Sequence, residues 1–513
     1  MPFIALGVAM IIVDATIVNV AVPSIIRDLH LSATSAEWLN SIYSLVFAAL
    51  LISAGRAGDR FGRRNLFLLG TLLFVVASLV AATAPTGSIL LLGRFLQGIG
   101  GAMVLPSTLS TVNALFQGRE RAIAFAIWGS TIGGVAALGP LVGGWLTTDV
   151  SWRWAFLVNV PVGVLIAVGV ALFIPETRDP AAGKGVDLGG NALVTLGFSG
   201  VVFALIEGVH YGWWRRESPL TLFSLHWTST VSPVPVAALL GVLFLLGFVL
   251  TQSRRGRAGR PVLVDLGLFR IPSFAAGNLA ALVVSLGEFG ILFVLPLFLQ
   301  GVQGYSALRT GVLLLALAGG SLVAGGLTPQ LAARVSARSV ARLGLLLEFL
   351  GLLLLGLLIA PSVGAWTLVP ALLLYGLGVG FATAQLTGVI LTDVPVSASG
   401  AASGVQSTVR QVGSALGIAV LGTLYVSEIG RRTLSGSLQV TGTTRAAANA
   451  LSTAVRGSGG AVVHGLPGGA LREAAASAVA TSTRLAALLA ALFILVGLVA
   501  TFRLPRENAR APH

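Results

Sequence analysis

Apolar residues run in long stretches along this chain, and short polar connections separate them. A helix needs about 20 apolar residues to cross the roughly 30 Å hydrocarbon core of a membrane. Fourteen stretches are long enough, which predicts an all-α polytopic membrane protein with fourteen transmembrane helices. They lie near 3–23, 38–54, 66–84, 88–113, 122–147, 154–174, 187–208, 234–251, 273–299, 309–328, 341–360, 365–390, 403–427 and 485–503.

The composition supports a membrane protein. Hydrophobic residues make up 55% of the 513 positions and charged residues only 10%, with a mean hydropathy of +0.93. The 65 glycines suit tightly packed membrane helices. A net charge of +14 would suggest nucleic acid in a soluble protein, but here arginines flank the spans. We therefore expect the lipid bilayer as a partner and no nucleic acid. The absence of cysteine excludes a disulfide framework.

The basic residues also predict the orientation. With the N-terminus inside, the inner connections hold 19 Lys and Arg residues and the short outer connections hold five. Since cytoplasmic loops carry the excess of basic residues, both termini are predicted to be cytoplasmic. The long outer connection 428–484 is rich in small residues; it is compatible with a short surface helix near 443–456 or with a mobile segment.

Two polar residues, Arg94 and Gln97, interrupt the fourth apolar stretch. A charge inside the membrane must face a cavity or a partner. Asp14 in the first stretch lies about 13 Å from the outer end of its helix, and Arg94 lies about 9 Å deep at 1.5 Å per residue. The two side chains are thus able to pair. One interpretation is a proton site, in which protonation of Asp14 releases Arg94; the other is a permanent structural ion pair.

Glu288 lies near the middle of the ninth stretch, with Phe289 and Phe293 beside it. A carboxylate flanked by aromatic rings is suited to a lipophilic cation, which it would hold by charge and by the ring faces. A second proton site and a bond to a neighbouring helix are the alternatives.

Glu348 and Arg410 lie at similar depths in the eleventh and thirteenth stretches, each roughly 10 Å from the inner end. We expect them to form a structural ion pair. Glu207 falls at the outer end of the seventh stretch, where an interfacial position is expected. The five histidines are all in connections or at the terminus, so the sequence predicts no metal site.

The segment 55–64 forms a tight inner turn between the second and third stretches. Its glycines permit a positive φ, and Asp59 is placed to cap the next helix or to pair with arginines. The alternative is an ordinary basic cytoplasmic loop. The candidate gate residues are Gly55, Asp59, Arg60, Gly62, Arg63 and Arg64.

The fifth stretch carries the small-residue pattern Gly139, Pro140, Gly143 and Gly144. Gly139 and Gly143 are four residues apart, a spacing that allows close helix contact, and Pro140 favours a kink. A generic packing helix explains the same residues, because Gly and Pro are common in membrane spans.

Together these segments resemble the marker motifs of the major facilitator superfamily, and in particular its fourteen-helix drug:proton antiporter branch. The resemblance covers nearly the whole chain apart from 428–484. One departure is the second inner turn, 327–338, which has no acidic residue, so an asymmetric inner gate is expected. The matching segments are 14–23, 55–66, Arg94-x-x-Gln97-Gly98, Gly139-Pro140-x-x-Gly143-Gly144, 152–163 and 403–417.

The resemblance implies two six-helix bundles with inverted repeats, around a central substrate cavity, plus two additional helices. The expected divisions are 1–176 for the first bundle, 177–260 for the additional pair and a basic linker, and 261–513 for the second bundle with the outer segment 428–484. Proton coupling is expected from Asp14, Arg94 and Glu288. Substrate contacts are expected from Asn19, Gln97, Glu288, Phe289 and Phe293.

The function expected on this basis is proton-driven export of amphipathic or cationic drugs, by a monomer in the bacterial inner membrane. A dedicated exporter of one metabolite, such as an antibiotic, a siderophore or a lipid, is the alternative. The sequence holds no phosphate-binding loop of an ATP-driven pump, and no catalytic cluster of an enzyme is evident. The proton gradient is the expected energy source, with no cofactor.

Overall fold

The computed structural model describes the chain except for positions 30, 32, 117–119, 121–123, 125–126, 129–130, 132–134, 136–137, 179–186, 219–220, 223–224, 261, 333, 396–398 and 503–513. The described part is helical apart from its connections and one short β-ladder. In that ladder Thr221–Leu222 pairs antiparallel with Leu225–His226.

The helices follow one another along the chain with short connections. Single 3₁₀ turns occur at Leu266–Arg270 and Val463–Gly465. The α-helices are α1 (Pro2–Leu29), α2 (Ala33–Phe61), α3 (Arg63–Ala82), α4 (Gly87–Leu115), α5 (Leu138–Asp149), α6 (Trp154–Leu157), α7 (Asn159–Phe173), α8 (Leu188–Tyr211), α9 (Pro233–Arg257), α10 (Pro272–Gly301), α11 (Ala307–Ala332), α12 (Ala337–Leu358), α13 (Ala365–Leu391), α14 (Ser399–Leu438), α15 (Arg445–Gly457) and α16 (Ala470–Thr501).

Ten spans among the described residues are long and apolar enough to cross a membrane: α3, α4, α6 with α7, and α9 to α14 together with α16. Shorter apolar segments lie in α1, α2 and α8. The fifth predicted stretch, 122–147, is described only in part. The chain is therefore an all-α multi-pass membrane protein, and the total of fourteen spans stays a prediction.

Two large apolar cores divide the helices. One lies among α1 to α4 and α7 and includes Phe47, Phe67 and Phe74. The other lies among α10 to α16 and includes Phe298 and Tyr375. A smaller core joins α8 and α9 to the start of α10, the end of α13 and the start of α14. Helices α8 and α9, the predicted additional pair, thus share this core with helices of the second half.

Among the described residues, the two halves meet mainly along two pairs of helices, with a smaller contact between α4 and α14. In one pair, α5 of the first half packs on α11 of the second; in the other, α2 packs on α14. The additional helix α8 packs on both α2 and α14. Helix α8 therefore contacts both halves of the molecule.

The outer segment 428–484 is largely helical, and part of it extends the neighbouring spans. Helix α14 continues to Leu438 and α16 begins at Ala470. Helix α15 corresponds to the surface helix predicted at 443–456. Tyr425 Oη donates to Gly459 O at 3.0 Å, and Val455 and Val479 belong to the second core. The predicted thirteenth and fourteenth spans were too short, because the polar end of α14 and the Ala-rich start of α16 remain helical and pack on each other.

Candidate functional site

Asp14 is the centre of a sealed polar network in the first half. Its side chain is 0% exposed. Its Oδ2 accepts from Arg94 Nη1 at 2.6 Å, and its Oδ1 accepts from Gln97 Nε2 at 2.9 Å and from Asn159 Nδ2 at 2.7 Å. The structure thus brings together the predicted pair, and three donors satisfy the carboxylate.

The Arg94 side chain is almost as fully engaged. Its Nε donates to Leu39 O at 3.0 Å, and its Nη1 also donates to Gln97 Oε1 at 2.9 Å. The guanidinium carbon lies 4.3 Å from the centroid of the Tyr43 ring. A buried ion pair persists only when further hydrogen bonds offset the loss of water. This pair has several of them, and Arg94 Nη2 is left without a hydrogen-bond partner among the described residues.

The local sequence explains the assembly of this network. Arg94 and Gln97 are three residues apart, so they share one face of α4. Gly93 allows close packing there, since a Cβ at that position would lie 2.9 Å from Ala81 Cβ on α3. Ser78 of α3 accepts from both Gln97 and Asn159, at 2.9 and 3.3 Å. Helices α1, α4 and α7 therefore meet at one carboxylate, and Ser78 joins α3 to the same network.

Two residues predicted to contact substrate lie in or near this network. Gln97 is completely buried, and its amide bonds to Asp14, Arg94 and Ser78. It therefore has no surface available to a ligand in this conformation. The side chain of Asn19 lies outside the described residues.

Glu288 occupies a different environment in the second half. Its carboxylate Oε2 lies 3.5 Å from Arg410 Nη2, and the Arg410 side chain is 22% exposed. The two side chains border a small recess between α10, α13 and α14, which has room for about one water molecule. The recess is lined by Ala281, Val284, Ser285, Glu288, Ala382, Thr383, Leu386, Thr387, Gln406 and Arg410.

The predicted aromatic partners of Glu288 do not line this recess. Phe289 and Phe293 are only partly buried, and a Cβ added to Gly422 of α14 would lie 3.2 Å from the Phe293 ring. The aromatic cation site predicted from the sequence is therefore not assembled here, since Phe293 points to α14.

The predicted ion pair between Glu348 and Arg410 is not formed. Arg410 pairs with Glu288 instead. Glu348 is 0% exposed, and neither of its carboxylate oxygens has a hydrogen-bond partner among the described residues. Equal depth suggested the pair, but the rotation of α12 places Glu348 against α13.

The inner turn is built on one glycine and an unexpected carboxylate. Gly62, with φ of 111°, is the single residue between α2 and α3. Glu176 Oε1 and Oε2 accept from the backbone N–H groups of Arg64 and Asn65, both at 3.3 Å. Glu176 therefore caps α3, the role considered for Asp59, whose own side chain lies outside the described residues.

The other candidate gate residues surround this turn. Arg60 is exposed, with its guanidinium over the Phe61 ring, and the Arg64 side chain donates to Ala171 O. The backbone N–H of Arg63 donates to Thr177 O at 3.1 Å. Gly55 lies within α2, where a Cβ would approach Pro106 at 3.6 Å.

The glycines of α5 lie where helices approach most closely. A Cβ at Gly139 would overlap the Thr16 side chain, and one at Gly143 would lie 2.7 Å from Ile17 Cγ1. A Cβ at Gly144 would lie 2.8 Å from the backbone carbonyl of Ala307 on α11. Helix α5 thus touches both the Asp14 helix and the second half. The kink at Pro140 stays a prediction, because 136–137 lie outside the described part.

Sequence reasoning missed several functional neighbours. Asn159 and Ser78 are neutral polar residues, which carry little signal by themselves in a membrane span. Glu207 was expected at the interface but is 2% exposed, and Trp38 Nε1 of α2 donates to its carboxylate. The tight packing of α8 on α2 explains this burial.

Comparisons with known proteins agree with the architecture. The family model of the Major Facilitator Superfamily matches residues 4–418. A probable actinorhodin transporter of Streptomyces coelicolor is 36% identical over 428 residues, which are 82% of this chain and 71% of that protein. The multidrug efflux pump LfrA of Mycolicibacterium smegmatis is 34% identical over 429 residues, 83% of this chain and 80% of the pump.

A solved structure has a similar fold at low sequence identity. It is a bacterial homologue of the human lysosomal transporter Spinster, in an inward-facing and unoccupied conformation. The TM-score is 0.57 at 19% identity, with 98% of this chain and 96% of that chain covered. This similarity concerns the fold alone.

Proposed function

We propose that this chain, which belongs to the Major Facilitator Superfamily, exports drugs or antibiotics across the bacterial membrane in exchange for protons. The family match confirms the resemblance seen in the sequence motifs. Relatives named as a multidrug efflux pump and an actinorhodin transporter support export as the direction of transport. Alternating access between two helical bundles is the mechanism that this fold supports.

One observation carries the proposal: each half holds a buried carboxylate bonded to an arginine of another helix. Asp14 meets Arg94 in the first half and Glu288 meets Arg410 in the second. Carboxylates inside a membrane are costly and mark proton or ion pathways. A proton antiporter needs such groups, since a proton must bind on one side and leave on the other.

Glu288 is the group placed to exchange a proton or a cationic substrate. It borders the recess, and its bond to Arg410 is long at 3.5 Å. A proton or a cation at Glu288 would replace Arg410 as the compensating charge. Because both compete for the same carboxylate, binding of one favours release of the other, as antiport requires.

Asp14 is placed to link charge to conformation. Its protonation would remove the charge that holds Arg94, and so loosen the contact between α1 and α4. Thr16 and Ile17 of α1 lie against α5, which in turn lies against α11 of the second half. A change at Asp14 therefore has a continuous packed route to the interface between the halves.

We propose fourteen spans with both termini in the cytoplasm, and a monomer as the working unit. The excess of basic residues in the inner connections supports this orientation. The ten apolar spans and the apolar parts of α1, α2 and α8 account for thirteen of the spans.

The substrate class is best tested by the range of compounds that the protein exports. Ligand sites for drug-sized molecules are about 300–1,000 Å³, whereas the recess has room for about one water molecule. The bundles must therefore rearrange to admit a whole drug molecule. The relatives include both a multidrug pump and proteins named for single antibiotics, so a dedicated exporter is the second candidate. Expression in a pump-deficient host separates the two: broad resistance supports a multidrug exporter, and resistance to one compound supports a dedicated one.

Antiport itself is tested with purified protein in liposomes. An imposed pH gradient should drive ethidium uptake, and an opposite ethidium gradient should move protons, followed with a pH-sensitive dye. Ethidium movement that ignores the pH gradient would contradict proton coupling. If wild type moves no ethidium, the antibiotics that give resistance in the host replace it as probes.

A further inference from the structure

Glu348 is a buried acid that the proposed exchange at Glu288 does not use. It belongs to α12 and has no exposed surface. Both carboxylate oxygens lack hydrogen-bond partners among the described residues. An ionised carboxylate that is buried without donors is strongly disfavoured, so the group carries a proton in this conformation.

The position of Glu348 is fixed by close packing of α12 on α13. A Cβ added to Gly378 of α13 would lie 2.3 Å from Glu348 N, and one added to Gly351 would lie 2.4 Å from Tyr375 N. The two backbones therefore touch on both sides of the acid. Glu348 has no space to swing towards the lipid, and its carboxyl group stays inside the second half.

This packing places Glu348 behind the wall of the recess. A Cβ added to Gly344, one turn before Glu348, would lie 2.4 Å from the backbone N of Ala382, and Ala382 lines the recess. Tyr375, which belongs to α13 like Ala382, donates from its Oη to the backbone O of Glu288 at 3.4 Å. Tyr375 thus bridges the helix of Glu348 and the helix of Glu288.

The charged and titratable groups around Glu348 belong to one cluster. Glu288 of α10 and Arg410 of α14 interact electrostatically with Glu348. The Tyr375 hydroxyl of α13 interacts electrostatically with both carboxyl groups. Helix α16 meets α12 through apolar residues at Gly356, namely Ala487 and Leu488. Further along α12, Arg342 donates to Thr501 O, away from this cluster.

We propose that Glu348 is a second proton-binding residue of the second half, which shares the single compensating charge of Arg410 with Glu288. Two carboxylates beside one arginine cannot both be ionised without an uncompensated charge. Glu348 therefore keeps a proton while Glu288 is paired with Arg410. When a cation occupies Glu288, Arg410 becomes available to Glu348, which then releases its proton into the recess. The inference rests on the proposed antiport and adds a proton to it.

Proton stoichiometry tests this in proteoliposomes held at zero membrane potential, with ethidium as the probe. Each coupled proton multiplies the final ethidium gradient by about ten per pH unit. Glu348→Gln should lower that gradient about tenfold per pH unit, one proton fewer, while ethidium exchange without a pH gradient continues. Glu473→Gln, an exposed acid on α16, is the matched control and should behave as wild type. An unchanged gradient in Glu348→Gln would overturn the proposal.

Infrared spectroscopy gives a second test that does not depend on transport. The carbonyl stretch of a protonated buried carboxyl group should be present in wild type, weaken as the pH rises, and be absent in Glu348→Gln. A band that does not change with pH, or that remains in the variant, would contradict proton exchange at Glu348. If wild type moves no substrate but the band titrates, the antiport proposal fails while the proton site stands.

Thermal stability of Glu348 variants distinguishes a role of this residue in proton transport from a role in folding. Replacing an unpartnered buried carboxyl group by an apolar side chain of similar size removes a desolvation cost. Glu348→Met should therefore resist heating at least as well as wild type, and still lose the same proton from the transport cycle. Loss of folded protein in both variants would show a structural role and contradict the proposal.

Discussion

The two acid–arginine sites differ in how completely their charges are satisfied. Asp14 accepts hydrogen bonds from three side chains and is sealed from solvent. Glu288 has one distant arginine and borders a recess. A carboxylate with three donors holds its helices in place, whereas one with a single distant arginine can still accept a proton or a cation. We infer that the first half controls conformation and the second half exchanges the transported ions.

Removal of an arginine should show the largest difference in stability, between the buried Asp14 pair and a half-exposed surface pair. Arg94→Met leaves Asp14 buried without its cation, which costs about 3–5 kcal/mol of stability. Arg153→Met breaks a half-exposed pair with Asp28 and should cost about 0–1 kcal/mol. Thermal unfolding of the purified variants measures both.

Arg410→Met should fall between these two values, because the Arg410 side chain is partly exposed while Glu288 is buried. If Arg94→Met proved as mild as Arg153→Met, the Asp14 network would not be the rigid element described above.

Glu288→Gln tests the exchange site. Loss of the carboxylate should raise the half-saturating concentration of ethidium about 10- to 100-fold, which corresponds to about 1.5–3 kcal/mol for a bond to a charged group. Transport of an uncharged substrate should change much less. Equal losses for charged and uncharged substrates would point to a structural role for Glu288.

Gly144→Ala tests the packed route between the halves. The new Cβ would press on the Ala307 carbonyl, and such overpacking costs about 1–3 kcal/mol. We expect slower gradient-driven transport and a lower unfolding temperature. Gly388→Ala is the matched control, since no heavy atom lies within 4 Å of its Cβ position. Similar transport rates in the two variants would argue against transmission through α5.

Glu176→Ala should have a smaller effect than the substitutions at Arg94, Glu288 and Gly144. It removes the carboxylate that caps α3 at the inner turn, and loss of a helix cap costs about 0.5–2 kcal/mol. Hydrogen exchange at the amides of Arg64 and Asn65 should become faster. Unchanged exchange there would show that other groups cap the helix.

The sequence predicted the elements that depend on strong, local signals. Long apolar stretches predicted the spans, and the cost of a membrane charge led from Arg94 to Asp14. Gly139 and Gly143 predicted a close helix contact, which the structure places at Thr16 and Ile17. In each case one physical requirement left few alternatives.

Other features depend on the rotation and packing of helices, which depth alone does not determine. Similar depths predicted that Glu348 would pair with Arg410, but the facing of α10 and α12 brings Glu288 to that arginine instead. Asn159 and Glu176 reach their partners only after the chain has folded back on α3. The polar end of α14 and the Ala-rich start of α16 were taken for a connection because their hydropathy is low.

In the proposed cycle, Asp14 couples proton binding to the conformational change, and Glu288 exchanges a proton for the substrate. This division of roles is tested most directly by comparing gradient-driven ethidium uptake with ethidium exchange in the same proteoliposomes. Asp14→Asn should abolish driven uptake and retain exchange, while Glu288→Gln should weaken both. Asp28→Asn, on the same helix as Asp14 but half exposed, should leave both intact. Full driven uptake by Asp14→Asn would contradict the account.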